Sequence, residues 1–441
     1  MEPSARRPVV SDHRRAEIRA LAMRSNQVVL FAALTGALTG LIVSAFEFAV
    51  VDVALDRASA QALPVMAVLP LVGLVVSWSL RRTVGGGIGP GTADEYLKGF
   101  HAAETRLGPR AMVARLAAAV ATVGSGAPMG LEGPSIYAGA TTGVEVQRRA
   151  KRWFRGADHR TLMVAGAAAG VAAIFKAPAT GAVFALEVPY QDDLARRMLL
   201  PSLVGAVSGY LVFASFFGTT PLFPLVESAG FEIRDLAGAA GVGLVAGIAA
   251  RAFALLLRRA KRIAAGPRPL VAALGAGGVI VGLVALGRAV TDEVLVLGSG
   301  HHVIEWATTP GHAIGALVAV LVLRSLATSA AVAGGGVGGI FIPLVVSGAL
   351  TGAVIGQLVD DDNLTLFVVV GMAAFLGAGY RVPLAAVMFV AETTGRPSFV
   401  VPGVIAAVVA ELVMGGSSVT AYQHRTWSAP HSADRQRSDA R

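Results

Sequence analysis

The chain has 441 residues, 54% of them hydrophobic and only 15% charged, with a mean hydropathy of +0.66 and a formal charge of +9. That balance excludes a soluble protein of this size and predicts an integral membrane protein. The absence of cysteine excludes a disulfide framework and thiolate metal sites. The arginines sit in tails and short links between apolar runs, a pattern of membrane topology and not of nucleic-acid binding.

Residues 1–26 carry six arginines without a preceding apolar core, so no signal peptide is read. This basic arm is expected to be cytoplasmic, with residues 11–24 forming a short amphipathic helix at the membrane interface. Residues 28–46 and 63–80 are long enough to span a bilayer. Val84 to Gly91 is too glycine-rich for a span and leads into a short polar helix ending near Gly99. Residues 110–123 are apolar but short. A helical run follows from Pro134 to about Gln147, closed by the basic loop Arg148–Arg155.

Gly166 to Leu186 is broken by Pro178 into two half-length pieces. Further apolar segments are expected at 198–226, 236–257 and 269–287, with Arg258–Arg262 as a basic link between the last two. Residues 311–323 and the run 325–359 follow, the latter interrupted by glycines 334–339. Then come 364–380, a short helix from Pro383 to about Ala391, and a final span at 398–414.

Between residues 124 and 134 lies Gly-Ser-Gly-Ala-Pro-Met-Gly-Leu-Glu-Gly-Pro, which places a carboxylate, Glu132, at membrane depth. Ionisable groups there are costly and usually functional, although a glutamate that only caps a turn would leave the same pattern. Gly-Pro after Glu132 suits a helix start, which aims unpaired N–H groups and positive potential at whatever lies in front of it.

The chain also contains itself twice. Gly130–Gly143 aligns without gaps on Gly339–Gly352, and Gly166–Val188 aligns on Gly371–Thr393, pairing Pro178 with Pro383, Glu187 with Glu392 and Lys176 with Arg381. The repeat divides the chain into an arm (1–26), a first membrane repeat (27–226), a second (227–422) and a short polar tail (423–441) with no soluble regulatory domain. Duplicated halves with broken helices are the pattern of a transporter whose site lies at the repeat interface. Convergent helix N-termini, without a ring of arginines, select a small anion that must also leave.

These residues resemble the CLC family of chloride channels and chloride/proton exchangers. Gly130-Leu-Glu-Gly-Pro134 is similar to the family's Gly-Arg/Lys-Glu-Gly-Pro block, Gly338-Gly-Ile-Phe-Ile-Pro343 to its Gly-Gly-x-Phe-x-Pro block, and Gly85-Gly-Gly-Ile-Gly89 to its Gly-Ser-Gly-Ile-Pro block. The resemblance implies an all-α polytopic membrane protein of two inverted repeats with broken and short helices. It further implies a homodimer with one pore per subunit in the plasma membrane, both termini cytoplasmic. Glu132 then takes the place of the gating glutamate. Anion ligands are expected from the amides of Ile340 and Phe341, from those around Gly86, Gly87 and Ile88, and in part from Thr420, which falls where the family has a tyrosine. Gly86 replaces the family's serine, and Leu131 its basic residue.

The family's exchangers pass protons through an inner glutamate at the position occupied here by Val188. Valine holds no proton, so passive chloride conduction gated by Glu132 is the leading expectation. The alternative is a chloride/proton or fluoride/proton antiporter with another proton path. An intramembrane hydrolase using Ser125 or Ser299 with His301, His302 or His312 is the remote alternative, as no carboxylate has a readable spacing to them. No enzyme activity, metal or cofactor is expected; the ligand is chloride or another small anion.

Overall fold

Proline and glycine decide where this chain is helical. In the computed structural model, which describes residues 12–102, 107–152, 158–224, 230–359 and 363–426 (side chains from residue 26), five of the helices named below carry proline in their first two positions. The pyrrolidine ring suits that first turn, where no N–H is needed.

The first half runs through α1 (Asp12–Phe48), a π-helical stretch (Ala49–Leu55), α2 (Asp56–Ser59), α3 (Leu63–Thr83), α4 (Ala93–His101), α5 (Pro109–Val123), α6 (Glu132–Arg149), α7 (Arg160–Phe175), α8 (Pro178–Glu187) and α9 (Leu199–Phe217). The second half follows with α10 (Ile233–Ala264), α11 (Pro269–Thr291), α12 (His301–Thr308), α13 (Ile314–Ala333), α14 (Phe341–Val359), α15 (Leu364–Tyr380), α16 (Pro383–Thr394) and α17 (Val400–Met414). Among the described residues there is no β-strand, and eight helical stretches are long and apolar enough to cross a membrane.

The internal repeat is visible as packing. A Cβ at Gly139 of α6 would stand 2.0 Å from the Gly166 carbonyl oxygen of α7; one at Gly348 of α14 would stand 2.2 Å from that of Gly371 on α15. Gly36 and Gly40 of α1 lie against Gly205 and Gly209 of α9, as Gly243 and Gly247 of α10 lie against Ala406 and Ala410 of α17. Small residues let membrane helices approach to backbone contact, and here they do so at matching positions. Even the breaks match: Lys176 and Arg381, which end α7 and α15, both adopt left-handed backbone conformations (φ 53° and 58°). α7 and α15 are buried all round, so each half is assembled about its own central helix.

Three boundaries differ from the sequence expectation. The described backbone is one continuous helix from Asp12, because neither glycine nor proline occurs between Asp12 and Gly36; a separate interfacial helix at 11–24 does not form, and its side chains lie outside the described residues. Arg258–Arg262 is not a link but the last turns of α10, which continues until Gly266 and Pro267 stop it. Arg324 does not end a segment either. It is buried within α13, and its guanidinium donates to the carbonyls of Leu295 (2.8 Å), Leu297 (3.0 Å) and Gly298 (2.9 Å), so the charge caps a loop.

Candidate anion site

α6 and α14 start side by side. Gly130 and Gly339, just ahead of each start, exchange two backbone hydrogen bonds (2.9 and 2.6 Å), the geometry of an isolated antiparallel bridge. Over this bridge lies the Glu132 side chain, 1% exposed. Its Oε1 accepts the Phe341 amide at 2.6 Å, and the Ile342 amide and its own amide also point toward the carboxylate. Its Oε2 is buried with no hydrogen-bond partner. Glycine at both bridge positions leaves the carboxylate its seat, because a Cβ at Gly339 would stand 1.8 Å from Oε1 and one at Gly130 1.9 Å from Oε2. A carboxylate therefore occupies the point on which two helix N-termini converge, a position suited to an anion.

On one side this point is closed by aromatic rings. Phe175, Phe389, Phe184 and Tyr380 surround Phe341 with ring centroids 4.5, 4.9, 5.6 and 6.4 Å away. Elsewhere a vestibule of about 820 Å³ reaches Gly339, Ile340 and Tyr380, and Arg82, Lys98, Arg258, Lys261 and Arg262 contribute cations to its wall. Such a wall concentrates anions at its mouth. Arg81 fastens the vestibule roof, donating to the Gly335 carbonyl (2.9 Å) and the Ile88 carbonyl (3.3 Å), and so joins the glycine-rich loops of the two halves.

The named residues fall into two groups. Glu132, Ile340 and Phe341 lie together, and Ile88 and Gly87 line the same vestibule. The Gly87 amide is already engaged by the Arg81 carbonyl (3.0 Å), and Gly86 packs near the Arg110 guanidinium; both glycines hold positive φ (88° and 72°). Thr420 turns away from the vestibule and donates its hydroxyl to Asp94 Oδ1 at 2.8 Å. Hydroxyl residues that line the vestibule are Thr92, Tyr422 and Tyr380, and the last meets the Ile340 amide and lies in electrostatic range of Glu132. The repeat alignment carried the signal, since it pairs Tyr380 with Phe175 and so adds one hydroxyl at the second break.

Val188 is buried, and its carbonyl accepts Gln423 Nε2 at 3.0 Å. Its neighbour Glu187 caps α16 by accepting the amides of Leu384 (3.1 Å) and Ala385 (2.9 Å). Glu392 returns the favour to α8, accepting the Ala179 and Thr180 amides (2.9 and 2.7 Å) and the Thr180 hydroxyl (2.6 Å). Both carboxylates are thus committed to helix starts. For a hydrolase, Ser299 does meet His301 (3.0 Å), but the nearby carboxylate Glu293 pairs with His302 (3.1 Å), and Ser125 donates to the Thr122 carbonyl. No serine–histidine–carboxylate chain forms among the described residues.

Duplicated broken helices, converging N-termini and a cationic vestibule define a membrane transport protein for small anions, not an enzyme. A family model described as voltage gated chloride channel matches residues 71–415, and the chain belongs to that family, the CLC proteins. It is 31% identical over 352 residues to a ClcB-like chloride channel protein of Ralstonia nicotianae, covering 77% of this chain and 78% of the relative. It is 27% identical over 437 residues to the H(+)/Cl(-) exchange transporter ClcA of Salmonella paratyphi B, covering 92% and 89%. Two solved structures share the fold. A slow cyanobacterial Cl-/H+ antiporter superposes with TM-score 0.78 at 21% identity, over 94% of this chain and 98% of that one. A CLC-type fluoride/proton antiporter gives 0.77 at 22%, over 91% and 98%.

Proposed function

We propose that this protein exchanges a small anion, chloride in the first instance, for protons, and that Glu132 takes turns with the anion at the start of α14. The observation that carries this reading is the seat of the carboxylate, with Oε1 on the Phe341 amide and Oε2 left without a partner. A buried oxygen in that condition costs about 1–3 kcal/mol, so the docked state is not deeply favoured. Protonation removes the charge that competes with the anion; an arriving anion takes the vacated amides while the neutral side chain swings away with its proton. One group then serves both the gate and the proton.

Val188 favours passive conduction, since it holds no proton. Against that, similar proteins are named for chloride/proton exchange or antiport, which supports the coupled reading over the passive one. The same reading carries with it anion ligation by the Ile340 and Phe341 amides, with the Tyr380 hydroxyl added and Gly86, Gly87, Ile88 and Thr420 in supporting places. It also carries a homodimer with one pore per subunit, a plasma-membrane location with both termini cytoplasmic, and repeats bounded at 27–226 and 227–422. No cofactor is required. The test is purified protein in liposomes, with chloride and pH followed together: a chloride gradient should drive protons against their own gradient. Chloride movement with no accompanying protons overturns the exchange reading in favour of the passive one.

A further inference from the structure

If protons reach Glu132, they need an entry, and the position of Val188 offers none. The vestibule and a second, smaller cavity are both lined by carboxylates, and they share no lining residue. In the smaller, of about 690 Å³, Glu411 is held by the Arg381 guanidinium (3.1 Å), which also pairs with Asp192 (3.0 Å). The vestibule is lined by two carboxylates, Asp94 and Glu95, at the start of α4, together with Gly339, Ile340 and Tyr380.

Asp94 divides its oxygens between two distant segments. Oδ2 accepts Lys261 Nζ of α10 at 2.6 Å, and Oδ1 accepts the Thr420 hydroxyl at 2.8 Å. Lys261 also donates to the Val419 carbonyl at 3.0 Å. The pair is partly open to the vestibule, with 16% of the Asp94 side chain and 30% of the Lys261 side chain exposed. Of the other charges nearby, Glu95 and Lys98 pair with each other on α4 (2.6 Å), and Arg82, Arg258 and Arg262 face the cavity. The Tyr380 hydroxyl lies in electrostatic range of both Asp94 and Glu132.

We propose that Asp94 is the vestibule proton acceptor of the exchange cycle and that Lys261 makes its release depend on the anion. This rests on the exchange reading above. An anion leaving the centre through the vestibule competes with Asp94 for the Lys261 ammonium. The freed Oδ2 takes a proton from vestibule water. It passes that proton by way of cavity water and the Tyr380 oxygen, which releases its own proton toward Glu132 as it accepts one. Tyr380 ends as it began, Asp94 returns to its carboxylate form, and one proton has moved from vestibule water to Glu132. Anion and proton thus use one vestibule in opposite directions, the anion leaving as the proton enters, and their paths part only at the centre.

The test measures chloride and proton fluxes together in liposomes for the full chain, for Asp94→Asn, Asp94→Glu and Glu411→Gln. Asn keeps the acceptor for Thr420 but takes up no proton. For Asp94→Asn, protons moved per chloride should fall about tenfold or more, short of the roughly 100-fold of an outright lost acid–base group; Asp94→Glu should recover most of it, and Glu411→Gln should keep the ratio of the unaltered chain. An unchanged ratio in Asp94→Asn, or a loss confined to Glu411→Gln, overturns the proposal while leaving the exchange reading intact. If the unaltered chain moves no protons, both fall together. Lys261→Met provides a second readout should Asp94→Asn fold poorly: the chloride concentration for half-maximal flux should rise severalfold, and an unchanged value overturns the role given to Lys261.

Discussion

The starts of α6 and α14 are the same piece of backbone used twice, each led in by a glycine of the shared bridge and each packed on the central helix of its own half. They differ in what they present. α6 offers Glu132, and α14 offers Phe341, whose ring joins the aromatic wall and whose amide receives the glutamate. Symmetry supplies two converging positive helix ends, and a single side chain then breaks it. Had both starts been apolar the point would bind anions without a gate, and had both carried carboxylates they would repel each other. The outer pair of glutamates, Glu187 and Glu392, shows the opposite use of the same symmetry: each caps the partner half's helix.

The largest effect expected from breaking this comparison comes from Glu132→Gln, which makes the two starts alike in charge. Proton movement should drop by roughly 100-fold or more, while chloride still crosses at a rate that no longer depends on pH. In the unaltered chain, protonation neutralises the competing carboxylate, so chloride flux should rise as pH falls. A pH-dependent flux surviving in Glu132→Gln would remove the gate from this residue.

Next comes Gly339→Ala, which fills the space of the Glu132 carboxylate from the α14 side. With the added Cβ 1.8 Å from Oε1, the side chain must leave its seat. Chloride flux should become nearly insensitive to pH without any change of a titratable group, and a normal pH profile would show that the seat is not part of the gate.

The capping pair should give a smaller and purely structural effect. Glu392→Gln and Glu187→Gln should each lower stability by about 1–3 kcal/mol, read as thermal unfolding in detergent, with the protons moved per chloride unchanged. Glu392, with three donors against two, should cost more. A shifted stoichiometry in Glu187→Gln would instead place it on the proton path. The smallest effect on the anion is expected from Tyr380→Phe: about threefold weaker chloride binding by isothermal titration, for one lost hydrogen bond to a charged ligand screened by the vestibule, while protons moved per chloride fall as in Asp94→Asn.

Much of this was legible in the residues. The repeated Gly-x-x-x-Pro blocks and the paired prolines at 178 and 383 locate both broken helices and put Glu132 opposite Phe341. Charge was the less reliable guide. Arg258–Arg262 and Arg324 looked like the edges of segments, because a sequence does not show whether a charge ends a helix or is carried inside it by carbonyl partners. The side-chain network was not readable at all, since Thr420 meets Asp94 across 326 positions of chain, and a motif register has no way to report where a hydroxyl turns.

The short bridge between Gly130 and Gly339 has a mechanical consequence. Two hydrogen bonds weld the two halves together at the very point where a transporter of rocking halves would have to part. Splitting them on each turnover would strand four buried backbone groups. Access can therefore alternate without the halves moving: the backbone works as a stator, and the only moving part needed at the centre is one side chain with its proton.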